Sequence, residues 1–259
     1  MPTRDIPWPP GTPCWLDLSA DDVEGARDFY VAVFGWSVTD TGAEFGNYQM
    51  CQLDGRSVAG IGGKQDRAVP TAWTVYLASD DVDATAKAVR ASGGRVLAEP
   101  FDVPGAGRMS IAADSQGAVF GLWQAAGHIG AARYNEPGSF LWADVREPDP
   151  DDGRRFYAAV FGHTHRPVDG APADYTTFHL GADPLGGIGG MLDSPHGTVA
   201  HWVAYFAVAD ADRAAEDAEQ AGGTVLTPGH DTPFGRMVTI ADPQGGRFTV
   251  VGPARPEVG

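Results

Sequence analysis

The chain has 259 residues, enough for two domains of ordinary size with a core each. Hydrophobic residues make up 43% and charged residues 20%, the balance of a folded globular protein, which sets disorder aside. Eighteen Lys and Arg against 34 Asp and Glu give a net charge of −16, which repels phosphate backbones and anionic lipid; no nucleic acid and no membrane partner is expected.

The N-terminus, MPTRDIPWPPGTP, has no apolar run followed by small residues, and no stretch of about 18 apolar residues occurs anywhere. The expected location is cytoplasmic. Cys14 and Cys51 are too few for a disulfide framework or a thiolate zinc site and are expected to be buried thiols.

In chain order, the first predicted strand contains Trp15-Leu16-Asp17-Leu18. A helix follows from about Asp21 to Phe34, where Val23, Ala26, Tyr30, Val33 and Phe34 recur at helical spacing and Ser19 or Asp21 can cap the free N–H groups. Short Gly-punctuated strands end at Gly60-Ile61-Gly62-Gly63; with no helix after them, these glycines suit close strand packing rather than a phosphate loop. A second unit opens at Trp73, enters a helix from about Asp81 to Ser92 stopped by Gly93-Gly94, and continues in strands through Gly107-Arg108-Met109 and Asp114 to Gly117. Residues 125–138 carry Gly, Ala, Asn and Pro without periodicity and read as a linker. Helices over 150–161 and 210–221 repeat the earlier pattern.

The repetition is extensive. At an offset of 127, Trp15 matches Trp142, Asp17 matches Asp144, Phe29-Tyr30 matches Phe156-Tyr157, Phe34-Gly35 matches Phe161-Gly162, Tyr48 matches Tyr175, and Gly60-Ile61-Gly62-Gly63 matches Gly187-Ile188-Gly189-Gly190. At 129, Trp73, Tyr76, Asp81 and Asp83 match Trp202, Tyr205, Asp210 and Asp212; after a one-residue slip, Gly107-Arg108-Met109 matches Gly235-Arg236-Met237 and Asp114, Gln116 and Gly117 match Asp242, Gln244 and Gly245. Each unit reads as one βαβββ module, so the predicted fold is α+β with four such modules in two tandem domains. The expected boundaries are 1–125 for domain one (modules about 11–65 and 70–125), 126–138 for the linker and 139–259 for domain two (modules about 139–193 and 199–253).

These residues carry a resemblance over nearly the whole chain. The Phe-Tyr pair before a Phe-Gly, the Asp81-Val82-Asp83-Ala84 turn and the Asp114 to Gly117 strand entry resemble the vicinal oxygen chelate superfamily of glyoxalase, bleomycin-resistance and dioxygenase type. The tandem arrangement resembles actinobacterial glyoxalase-like proteins. The resemblance implies that the two modules of each domain pair their sheets into one cup, giving two cups per chain. In metal-dependent members, a His or Gln opens the first strand of each module and a Glu stands in the last, a set able to hold a divalent ion. Here those positions align with Pro13, Thr74 and Gly121 in domain one and Phe140, Val203 and Thr249 in domain two, none of them a good ligand. His201 lies two residues before Val203 and could share its direction, or serve a structural or rim role. His128, His163, His165, His179, His196 and His230 do not recur between halves. No metal and no cofactor is expected.

Alternation along the first strand gives the expected cup lining. With Leu16 and Leu18 in the core, Trp15 and Asp17 face the cup of domain one with Tyr76; Trp142, Asp144 and Tyr205 do so in domain two. A register shift of one residue would instead make these Trp residues core filling. Asp17 and Asp144 are the catalytic candidates, since a carboxylate in an apolar cup can act as general acid or base. Arg108 and Arg236 could clamp an anionic or keto group, or pair with surface acids. The functional expectation is metal-independent binding of a small aromatic or amphipathic metabolite, an antibiotic or natural-product intermediate, by a monomer or homodimer with a pathway enzyme as partner. The alternative is a glyoxalase-, dioxygenase- or hydroxylase-like enzyme using metal or an Asp acid/base. A further alternative is one functional cup, in domain two, with the other as scaffold.

Overall fold

In the structure, a computed structural model that describes residues 2–191 and 198–255, each half repeats one order of elements. The first module comprises β1 (Pro13–Ala20), α1 (Val23–Phe34), β2 (Ser37–Asp40), β3 (Gln49–Leu53) and β4 (Arg56–Gly63); the second comprises β5 (Ala72–Ala78), α2 (Val82–Ala91), β6 (Arg95–Val103), β7 (Gly107–Ala113) and β8 (Val119–Ala125). The second half gives β9 (Phe140–Arg146), α3 (Pro150–Phe161), β10 (Thr164–Pro167), β11 (Thr176–His179) and β12 (Pro184–Gly189), then β13 (His201–Ala207), α4 (Ala211–Gln220), β14 (Thr224–Thr232), β15 (Gly235–Ala241) and β16 (Arg247–Gly252). His196, one of the non-recurring histidines, lies outside the described residues.

Each half is one eight-stranded mixed sheet, ordered β2-β3-β4-β1-β5-β8-β7-β6 and β10-β11-β12-β9-β13-β16-β15-β14. At its centre the opening strands of the two modules run antiparallel, Leu16 opposite Val75, and each is flanked by its module's last strand in parallel. A bulge between Pro13 and Trp15 leaves Cys14 unpaired. The module pair is thereby related by an approximate twofold passing between β1 and β5.

The helix face of each sheet carries Leu16, Leu18, Val75, Leu77 and their counterparts, all buried in one core shared by the two halves. Phe34 meets Phe206 at a ring distance of 4.9 Å, and Tyr30 meets Phe248 at 5.4 Å. The Phe-Tyr pair and the D-x-Q-G turn account for this junction. The Tyr30 hydroxyl donates to Asp242 (2.9 Å) and accepts from the Trp73 indole (3.0 Å); Tyr157 repeats both with Asp114 (2.9 Å) and Trp202 (3.1 Å). Asp114 and Asp242 also accept backbone N–H groups of their own turns, so each carboxylate ties a turn to the other half's helix.

Gln244 reaches across to both the N–H and C=O of Asp22, and Gln116 does the same to Asp149. Those two Asp residues are the N-caps of α1 and α3, their side chains accepting from the first turn. The cap of α1 is therefore Asp22, not Ser19 or Asp21: Lys64 takes Asp21 in an ion pair at 2.6 Å, and Ser19 is still in the β1 ladder. No helix among the described residues is long and apolar enough to cross a membrane.

Candidate functional site

The opposite face of each sheet is the cup. In domain one, strand pairing brings Trp15 beside Tyr76 and sets Asp17 beside Thr74 and Gly60. The Trp15 indole donates to the Tyr48 hydroxyl at 3.0 Å, and the Tyr48 and Tyr76 hydroxyls both reach one oxygen of Asp17 at 3.4 Å. No cation meets Asp17 among the described residues. Burial among rings pushes its pKa up to about 7, against the opposing pull of the two phenols.

Domain two places the same residues closer together. Asp144 is 3% exposed and accepts four donors: Trp142 Nε1 (2.8 Å) and the Tyr175 hydroxyl (2.9 Å) on one oxygen, the Tyr205 hydroxyl (2.9 Å) and Arg146 Nη2 (2.8 Å) on the other. Every acceptor site of the carboxylate is used. Burial pulls the Arg146 pKa down, but the Asp144 charge and the neighbouring phenols outweigh it and hold the guanidinium charged. Arg146 also lies over the Tyr175 ring at 5.5 Å. Burial raises both phenols above their ordinary range, so they stay protonated donors.

Sequence reasoning missed Tyr48, Tyr175 and Arg146. The tyrosines recur at the repeat offset and were signalled by it. Arg146 replaces Ser19 and recurs nowhere, yet alternation from Asp144 puts it on the same face. His201 sits opposite Arg146 at the rim, its Nδ1 2.9 Å from the Val199 carbonyl and its pKa lowered by burial.

Arg108 and Arg236 do not line the cups. Met109 and Met237 take the cup-facing positions, so the preceding arginines emerge on the helix face. There Arg108 pairs with Asp83 (2.8 Å) and Asp102 (2.8 Å), and Arg236 with Asp212 (2.6 Å) and Asp231 (3.5 Å).

The approximate twofold relates four positions on the cup face. Asp17 pairs with Gly60 as Tyr76 pairs with Gly121, so these four are the symmetry-related sites; in domain two they are Asp144, Gly187, Tyr205 and Thr249. Phe140 lies in the helix-face core, and Pro13 precedes the bulge. These residues do not fit a divalent ion. Each cup offers one carboxylate among phenols, and no group of three or more His, Cys, Asp or Glu able to hold a metal occurs among the described residues. A Cβ at Gly60 would collide with the Tyr48 hydroxyl, one at Gly187 with Asp144 and Tyr175, and one at Gly121 with the Tyr76 ring, so aromatic groups occupy the space a ligating side chain would need.

The segment read as a linker closes one end of the domain-one cup. Its His128 ring meets Trp15 edge-on at 4.5 Å and Trp123 at 5.5 Å, and its carbonyl accepts from the Trp123 indole (2.8 Å). The backbone N–H of Ala131 bonds to the Cys14 carbonyl (2.7 Å), and Trp8 packs against the same cluster.

Residues 14–122 match the Glyoxalase/Bleomycin resistance protein/Dioxygenase superfamily and residues 142–251 match a Glyoxalase-like domain. The chain is 40% identical over 252 residues to "Putative glyoxylase CFP32" of Mycobacterium tuberculosis, covering 94% of this chain and 95% of that one. It is 36% identical over 261 residues to the anthracycline biosynthesis protein DnrV of Streptomyces peucetius, covering 93% of each. By fold it is similar to a Mn(II)-bound glyoxalase from Novosphingobium aromaticivorans (TM-score 0.65, 17% identity, 93% of this chain and 82% of that one). The 2,3-dioxygenase LapB from Pseudomonas sp. KL28 is comparable (TM-score 0.66, 14% identity, 96% and 95%). With its two βαβββ module pairs and relatives matched end to end, the chain belongs to the glyoxalase/bleomycin resistance/dioxygenase superfamily, as a tandem member.

Proposed function

We propose that the chain binds a small aromatic or amphipathic metabolite without a metal, a natural-product intermediate or antibiotic, and holds it in the cup of domain two. The Asp144 cluster carries this reading. A saturated carboxylate fixes an indole, two phenols and a guanidinium on one sheet face, while Arg146 spends only Nη2 on protein partners among the described residues. Its remaining N–H groups suit a carbonyl, phenolate or carboxylate, and the partly exposed Trp142 suits a ring, with stacking of about 0.5–1.5 kcal/mol beyond area burial. The relative named for anthracycline biosynthesis supports an aromatic ligand and a pathway enzyme as the source or recipient of it.

The test is a tryptophan-fluorescence titration of the whole chain with 1,8-dihydroxyanthraquinone, with and without excess EDTA. Saturable quenching that survives the chelator and weakens about tenfold in Arg146→Lys is expected. Binding that disappears with the chelator and returns with a divalent ion would overturn the reading.

A second reading rests on Asp17. Its carboxyl is raised to about 7, carries a partly exposed edge and lacks the indole and guanidinium donors that complete the shell of Asp144, so it can exchange a proton with a bound substrate near neutral pH. On this reading, turnover of such a substrate has a pH profile inflecting near 7 that Asp17→Asn abolishes; a profile unchanged in that variant removes it.

A further inference from the structure

Further along the strands that carry the Asp144 cluster, the sheet of domain two borders an open hollow. Ala207 and Val251 pair in register two residues along their strands from Tyr205 and Thr249, so they share the face of the cluster at about 7 Å from it. With Leu141, Gly235 and Phe234 they line a space of about 450 Å³, within the range of small-molecule sites. Phe234 is 56% exposed there.

The repeat shows what belongs in such a place. In domain one Ala78 pairs with Trp123 in the register of Ala207 with Val251, Cys14 stands at the bulge where domain two has Leu141, and Ala106 takes the position of Phe234. The Trp123 indole fills the space that Val251 leaves in domain two. The chain then lays the linker over it: the N–H groups of Ala126 and His128 both bond to the Ala106 carbonyl at 3.0 Å, and the His128 ring closes on Trp15 and Trp123. Burial lowers the His128 pKa to about 4, so a neutral flat ring sits there at physiological pH. In domain two the chain leaving β16 takes another course, with Arg255 drawn to Asp212 at 2.6 Å and its N–H to Asp231.

We infer that this hollow seats the flat apolar ring of the ligand, in the place where domain one seats its own indole and imidazole, with the polar end of the ligand turned toward Arg146. Domain one is the self-filled copy and domain two the receptive one. The inference rests on the binding reading above and adds where the ring lies. It selects ligands whose planar apolar part carries an oxygen acceptor far enough away to reach past Tyr205 to the Arg146 guanidinium, which itself reaches back to Asp144 and the Tyr205 hydroxyl; a compact polar metabolite of glyoxal size leaves the hollow unfilled.

The test uses the whole chain with Leu and Val methyl groups labelled, and two probes: indole, which mimics the ring domain one places there, and 1,8-dihydroxyanthraquinone. Intermolecular NOEs from the ring protons of both probes to the Leu141 and Val251 methyls are expected in the unaltered protein. Val251→Trp, which restores the domain-one side chain, is expected to weaken both probes at least tenfold while keeping its thermal transition. Saturable binding without NOEs to Leu141 or Val251, or undiminished in a folded Val251→Trp, overturns this inference and leaves the binding reading standing. Failure of the unaltered chain to bind either probe defeats both.

Discussion

The two cups carry the same Trp, Asp and pair of Tyr, yet they hold the carboxylate under opposite conditions. In domain one two phenols stand 3.4 Å from Asp17 and the next cup-facing residue of the strand is Ser19; in domain two Arg146 takes that place and the phenols close to 2.9 Å. The donor sets differ accordingly: Asp17 meets two phenols on one oxygen, whereas Asp144 meets an indole, two phenols and a guanidinium spread over both. Asp144 has no acceptor capacity left, whereas its neighbour Arg146 has donors to offer.

The largest effect is expected where that exchange is reversed. Arg146→Ser strips a buried carboxylate of its cation and should cost about 3–5 kcal/mol in urea unfolding. The reciprocal Ser19→Arg should bring Asp17 down from about 7 toward the ordinary carboxylate range, read by NMR titration of its side chain. A pair of unequal effects, with only the first measurable, would mean that the cups differ in more than this one position.

The junction offers a second asymmetry. Glu147 is fully buried beside Asp114 where the first half has Ala20; burial, Asp114 and the nearby Asp152 and Asp149 raise its pKa to about 10. Because the folded value exceeds the ordinary 4.5, the proton is retained on folding, and the associated stability is fully present below about 4.5 and lost as pH rises through 10. Glu147→Gln keeps the acceptor for Gln116 and should gain about 3 kcal/mol over the parent at pH 9, with the difference vanishing near pH 4, in thermal or urea melts. Asp17→Asn should behave alike on a smaller scale: equal to the parent near pH 4 and about 2 kcal/mol more stable at pH 8. Flat pH profiles for both differences would show that neither acid retains its proton in the folded chain.

The smallest effect belongs to the cover of domain one. His128→Ala removes an edge-on partner from Trp15 and Trp123 and should cost about 1 kcal/mol, with a red shift of tryptophan emission as water reaches the indoles. An unshifted spectrum would mean that Trp8 and Ala131 alone keep that end closed.

The module order and the cup-facing Trp, Asp and Tyr were legible because they are local: alternation and helical spacing follow from the period of each element, and the internal repeat supplies every signal twice. What was not legible depends on where elements meet. The linker has no periodicity, so nothing in its composition marks His128 as a ring bound for the cup. Recurrence drew attention to Arg108 and Arg236, although alternation from Met109 and Met237 already turns them to the helix face. Recurrence also hid Arg146, whose importance lies in its being unique to one half. The Phe-Tyr pair and the D-x-Q-G turn marked the family, but their role across the junction appears only when Tyr30 is seen to bond Asp242 and Tyr157 to bond Asp114.

The paired clasps of Gln116 on Asp149 and Gln244 on Asp22 have a consequence for assembly. Each half carries both a plug, its glutamine turn, and a socket, its first helix N-terminus, and the two are spaced to serve a partner related by twofold rotation. A half severed at the linker keeps both parts with nothing to receive them. Such a fragment is expected to pair with a copy of itself, and the intact chain then reads as a homodimer of module pairs written into one polypeptide, free thereafter to let its two cups diverge.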